Sequence, residues 1–203
     1  MKTGQLRTGG VTQQHAFLGI ALSALLLAAV ASWSDLLLIV AGQVIPGWAA
    51  SAALLLTVLT FKRVHTALYR TPTTLAPPHR RSALPRLVPG LLAAAAALGV
   101  AFGGASDLLG DANYLVLQPA GPGGCTAVVR ETSFLVIGDG EVYAVGRTGI
   151  AWGKSGSWRV DDGYRPVAAG TYTLHWHGSD GTFRPGGTST DPVLDSDIAT
   201  LDC

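Results

Sequence analysis

Apolar residues are concentrated in the first half of the chain. From Ala16 to Phe61 the only formally charged side chain is Asp35, and from Leu87 to Ser106 there is none. Runs this long and this free of charge have the spacing of bilayer spans rather than of amphipathic helices around an aqueous core. Ala16 to Ser32 is long enough, at ~1.5 Å per residue, to cover roughly 25 Å. Ser32-Trp33-Ser34-Asp35 then reads as a polar turn with an interfacial Trp. Leu36 to Phe61 predicts a second span, kinked where Gln43, Pro46 and Gly47 interrupt it, and Leu87 to Ser106 a third. One variant makes Leu36 to Ile45 re-entrant and starts the second span at Gly47, leaving a short apolar stretch. Another treats the first span as a signal peptide cleaved after Ala29-Val30-Ala31.

Beyond Asn113 the pattern changes to short β-prone runs separated by Gly, Pro and Asp. Candidate strands are Tyr114 to Gln118, Thr126 to Glu131, Ser133 to Ile137, Glu141 to Arg147, Trp158 to Val160 and Thr171 to His177. Gly138-Asp139-Gly140 reads as a hairpin loop between two of them. The predicted fold class is therefore membrane α-helical, with three transmembrane helices, plus a small all-β antiparallel sandwich or barrel. The expected layout is a cytoplasmic N-terminus over 1–15, two spans as a hairpin over 16–61 and a basic Pro-rich cytoplasmic loop over 62–86. A third span follows over 87–106, and an extracytoplasmic β domain over 107–203.

Charge orients this layout. Residues 1 to 90 hold eight Lys or Arg against Asp35 alone, whereas residues 91 to 203 hold six against twelve Asp or Glu. Basic residues stay on the cytoplasmic side, so Lys2, Arg7 and the loop carrying Lys62, Arg63, Arg80 and Arg81 point inward and the acidic half outward. Those four basic residues would also meet anionic lipid headgroups. Nothing interleaves stacking aromatics with them except Tyr69, so nucleic acid is not the expected partner. Arg outnumbers Lys eleven to three and Asn113 is the only Asn, the composition of a GC-rich bacterial genome. The expected location is a bacterial cell membrane.

The only cysteines, Cys125 and Cys203, both fall in the acidic half. Outside the cytoplasm they would pair as a disulfide and pin the C-terminus to the domain.

Candidate chemistry is sparse. Ala95, Gly99 and Gly103 recur every four residues and place small side chains on one helix face, where a membrane partner, a second copy or another helix of the same chain can approach. Gly47 and Ser51 repeat the spacing. His175 and His177 alternate on a predicted strand and would share a face, as a metal site requires, with Asp180 as a further ligand. Tyr172, Leu174 and Trp176 would face the core, leaving the histidines to solvent. Asp191, Asp195, Asp197 and Asp202 offer oxygen ligands without the EF-hand spacing. Trp152, Trp158, Tyr164 and Phe183, among glycines and charges, form a candidate partner-binding surface or fill the core. Gly153-Lys154-Ser155 fails the phosphate-loop pattern because Thr148 stands where its first Gly is required. No cofactor is implied. With ionisable groups nearly missing from the spans, ion-coupled transport lacks its usual residues. The expectation is a non-catalytic membrane protein whose outer β domain binds or senses a partner or ligand, or serves as an accessory subunit of a membrane complex. An enzyme or metal-binding protein using the His175/His177 region and a small transporter or channel component are the rivals.

Overall fold

The computed structural model describes residues 9–68, 84–196 and 198–203. Among the described residues, three helices, α1 (Gly9–Trp33), α2 (Gly47–Leu68) and α3 (Leu84–Leu109), combine with eleven strands and a short 3-10 turn, all strand pairings being antiparallel. The chain divides into two compact units, one of residues Met1–Trp33 and Trp48–Val100, the other of Ser34–Gly47 and Ala101–Cys203.

The helical unit has a thin core of Leu25, Ala28, Leu55 and Ala96. Two of the small residues of α3, Ala95 and Gly99, serve packing inside the chain. A Cβ on Gly99 would collide with the Ser32 side chain and lie 2.9 Å from Trp33 Nε1. Trp33 Nε1 in turn donates to the Ala95 carbonyl at 3.0 Å. Ala95 and Gly99 therefore leave room for the end of α1. Ser51 is fully buried. Large apolar side chains point away from this core, among them Ile20, Leu27, Leu56, Leu59, Leu91 and Leu98. Gly47–Leu68 and the Leu87–Leu109 part of α3 are long and apolar enough to cross a bilayer, and Gly19–Trp33 is a shorter apolar helix.

The segment expected to open a kinked second helix is instead a hairpin. Strands β1 (Leu37–Val40) and β2 (Gln43–Pro46) pair across Ala41 and Gly42, both at positive φ. The reason lies in the residues: Leu-Leu-Ile-Val is β-prone, Ala41-Gly42 supplies the left-handed turn, and Pro46 ends the strand where the helix starts. Helix α2 then runs to Leu68, past Lys62 and Arg63, so both lie on helix rather than in a loop. Arg80 and Arg81 fall outside the described residues.

The second unit contains the remaining strands: β3 (Asn113–Val116), β4 (Thr126–Phe134), β5 (Ile137–Val145), β6 (Ile150–Ala151), β7 (Gly156–Asp161), β8 (Tyr172–His177), β9 (Asp180–Pro185), β10 (Val193–Ser196) and β11 (Ala199–Leu201). They form a five-stranded sheet, β10-β7-β5-β4-β3, and a three-stranded sheet, β11-β9-β8. Alternation along β4, β5 and β7 sends Ala127, Val129, Val142, Trp158 and Val160 to one side, where they share a core with Phe183, Ala199 and Leu201 of the smaller sheet. This is a sandwich. On the opposite face of the larger sheet, Val128, Tyr143 and Val145 pack against Leu37 and Ala151 of a third sheet, β2-β1-β6. Part of the link between α1 and α2 is thus built into the β unit.

Thr126–Glu131 and Ser133–Ile137, expected as two strands, are one continuous strand, β4, plus the turn after it. The turn is Leu135-Val136, with Leu135 at φ 56°, not Gly138-Asp139-Gly140. Those three residues lie within β5, opposite Ser133, Thr132 and Glu131. Gly140 is there because it also faces Trp158 across the β5–β7 ladder, and the indole fills the space a Cβ would take.

Cys125 and Cys203 form a disulfide with Cα atoms 5.8 Å apart, closing a sequence separation of 78 residues. It ties the chain end beyond β11 to the start of β4.

Candidate functional site

The β8–β9 hairpin displays the two histidines. Tyr172, Leu174 and Trp176 are half-buried toward the core, while Thr173, His175 and His177 are exposed. Trp176 closes its side by donating from Nε1 to the Pro119 carbonyl at 3.0 Å. His177 stands opposite Asp180 and His175 opposite Thr182, and Ser179 Oγ donates to Asp180 at 2.9 Å. Among the described residues no group of three or more His, Cys, Asp or Glu side chains is placed to hold a metal ion. Of the C-terminal acids, Asp191 has local partners instead. Thr188 and Thr190 hydroxyls donate to Asp191 at 2.7 and 2.6 Å, and these bonds hold its carboxyl below the usual range. Asp197 falls outside the described residues.

The aromatic candidates do not form one surface. Trp158 is only 4% exposed and packs against Phe183 with ring centroids 5.2 Å apart, because it falls on the inward register of β7. Tyr164 is half-buried, its hydroxyl bonded to Thr171 Oγ1 at 2.8 Å. Trp152 alone is strongly exposed, at 76%.

A charged cluster that was not legible as a motif occupies the other face of the large sheet. Tyr114, Arg130 and Glu141 stand in one row across β3, β4 and β5. Asp107, near the end of α3, meets that row. Arg130 donates from Nε and Nη2 to Asp107 Oδ1 at 2.9 and 2.6 Å. Tyr114 donates to Asp107 Oδ2 at 2.8 Å. Arg130 Nη1 reaches Glu141 at 3.2 Å, and Tyr143 and Lys154 donate to the same carboxylate at 2.9 and 3.0 Å. Two carboxylates thus balance two cations. Burial works to raise the Glu141 carboxyl, but the bonds from Lys154 and Tyr143 and the Arg130 charge outweigh it and hold the group below its ordinary value. Burial, then the neighbouring carboxylates, pushes both Tyr114 and Tyr143 up. Burial opposes the Arg130 charge, yet its bonds to Asp107 prevail and raise it. Tyr114, Tyr143, Arg130 and Glu141 are all shifted toward their ordinary charge states, and each oxygen of the two carboxylates has a donor. Such a cluster fixes position; it holds no poised base or nucleophile.

On the inner face, Glu131 is 1% exposed and accepts the backbone N–H groups of Val167 and Ala168 at 2.8 and 2.9 Å. Burial raises its carboxyl despite these bonds and the nearby Arg165. It fastens the turn that leads into β8.

A groove of about 590 Å³ opens beside that turn, lined by the start of β8, the end of β9 and parts of β10. Its polar side chains include Thr173, Arg184 and Ser196, and among the described residues none that lines it is acidic. No periodicity or spacing marks these residues in the sequence, since they come from three strands joined by loops. No family model, curated protein or solved structure matches this chain.

Proposed function

We propose that the chain is an integral protein of a bacterial cell membrane. Three spans hold its N-terminus inside and its β unit outside, and that unit binds or senses a partner or ligand, or serves a larger membrane complex as an accessory subunit. The large apolar side chains exposed on all three helices suit a hydrocarbon surrounding. Thr57, on α2, satisfies its hydroxyl within the helix by donating to the Ala53 carbonyl at 2.8 Å, as a lipid-facing hydroxyl must. The eight-to-one basic excess of the first 90 residues favours the inward orientation, and the disulfide favours an oxidising compartment for the β unit.

The observation that carries the binding and sensing reading is internal to the β unit, which is built around the two stretches of chain that run on into helices. Asp107 in the last turns of α3 is gripped by Arg130 and Tyr114, and the α1–α2 connection contributes two strands to its third sheet. A force or a bound partner on such a unit acts directly on the chain segments that continue into the helices. A tethered enzyme gains nothing from that arrangement, whereas a sensor or subunit does.

The test is photo-crosslinking in cells from probes at Leu135 and Trp152, two strongly exposed apolar positions of the β unit. A discrete captured species supports the reading. Turnover of a substrate by the purified protein, abolished by His175→Ala or Asp161→Asn, would overturn it in favour of an enzyme.

A further inference from the structure

We propose that the groove between β8, β9 and β10 binds an oxyanion-bearing ligand, a carboxylate or a phosphate, through the guanidinium of Arg184 with the hydroxyls of Thr173 and Ser196. This rests on the binding reading above and names the chemistry that the β unit recognises.

The cations of the β unit carry the inference. Arg130, Lys154, Arg159 and Arg165 are each paired with a carboxylate, and Arg147 donates to the Gly123 carbonyl. Arg184 is the one Lys or Arg of that unit without a partner among the described residues. This occurs in a segment where acids outnumber bases twelve to six, so unpaired carboxylates are plentiful and the isolation of Arg184 is a matter of placement. It lines the groove, where no acidic residue stands among the described lining residues. Thr173 stands directly opposite it in the β8–β9 register, and Ser196 lines the same space from β10. Neither hydroxyl has a protein partner among the described residues.

A guanidinium offers its N–H groups as a planar fork that matches two oxygens of a carboxylate or phosphate, and hydroxyls supply donors for the remaining lone pairs. Gly170 forms part of the wall, and a Cβ there would meet nothing within 4 Å, which leaves the ligand room to approach the backbone. The volume lies within the range of small-molecule sites.

The experiment uses the full chain without a tag, in nanodiscs of zwitterionic lipid, with arginine and glycine labelled by ¹⁵N. Inorganic phosphate, acetate and chloride are titrated at matched ionic strength, and the Nε–Hε resonances are followed. The Arg184 signal is expected to move saturably with phosphate, acetate or both, while Arg159, already paired with Asp139, stays still. A response to phosphate alone identifies a phosphate ester as the ligand class; a response to acetate identifies a carboxylate. Arg184→Lys, read from the Gly187 amide, is expected to raise the apparent Kd about tenfold, because the fork is lost while the charge is kept. Equal movement in chloride, parallel movement of Arg159, or no saturation overturns the proposal. A silent Arg184 beside a partner captured by crosslinking removes the groove and leaves the binding reading standing. Saturable movement of Arg184 in a protein that also turns over a substrate, with turnover lost in His175→Ala, keeps the groove and removes the non-catalytic reading.

Discussion

Arg130 holds Asp107 through two nitrogens at 2.6 and 2.9 Å, joining the middle of β4 to the last turns of α3. Their side chains are 18% and 11% exposed, so the pair is screened little by water. Removing one member leaves the other charge under-compensated, and such losses run to about 3 kcal/mol. Arg130→Ala and Asp107→Ala are each expected to lower the thermal midpoint of the purified protein sharply. The double variant should cost less than the sum, since neither charge is then stranded. Simple additivity would mean that the contact contributes nothing beyond its separate parts.

Glu141 and Glu131 give the β unit opposite pH dependences. Glu141 is held below its ordinary value of 4.5, so its stabilisation is present above that pH and is lost as pH falls through the depressed value. Glu131 is raised above 4.5 by burial, so its contribution is present below 4.5 and is lost as pH rises through the raised value. Denaturation midpoints measured across the acid range should therefore lose part of their acid-side fall in Glu141→Gln. In Glu131→Gln they should lose part of their decline on the rising side. Parallel curves for wild type and both variants would contradict the assignment.

Gly140 and Trp158 form a cross-strand pair in which the indole lies over the glycine backbone. A methyl group at Gly140 meets the ring, and the ring is confined by Phe183 on the core side. Gly140→Ala is expected to destabilise by about 1–3 kcal/mol, the usual range for overpacking. Adding Trp158→Leu should recover part of that loss, because the smaller side chain vacates the space the methyl needs. A Gly140→Ala protein with an unchanged melting curve would show that the pair is not tight.

The same glycine illustrates what was legible in the sequence. Hydrophobic alternation marked most of the sandwich strands, the inward Tyr172, Leu174 and Trp176, and the outward histidines, because period-two burial is a local property. The two cysteines announced their pairing by being the only ones. Gly138-Asp139-Gly140 carried the composition of a turn, yet the turn fell at Leu135-Val136. Glycine has two uses, positive φ and close approach, and a tripeptide does not say which one applies. Leu36 to Ile45 looked helical because an apolar run of that length suits either state, and Ala41-Gly42 was the overlooked signal. The Asp107–Arg130–Glu141 cluster and the Thr173–Arg184–Ser196 groove depend on strand register and on contacts between segments far apart in the chain, so no local pattern displays them.

The Cys125–Cys203 disulfide closes most of the β unit, with 78 residues separating its ends. In the chain-entropy model a loop of this size contributes on the order of 4 kcal/mol by restricting the unfolded ensemble. The strand it secures is short: β11 has three residues, of which Ala199 and Leu201 are buried in the sandwich core. Without the bridge, β11 keeps its pairing with β9 and the burial of those two side chains. Loss should therefore begin there. Cys125→Ser with Cys203→Ser is expected to lower the thermal midpoint, and to speed hydrogen exchange at Thr200 and at its β9 partner Thr182 before the β4–β5 ladder is affected. Non-reducing gel mobility matching the reduced form in the wild-type protein would show that the bridge does not form. Uniform acceleration of exchange across all strands would show that it supports the whole sandwich rather than its end.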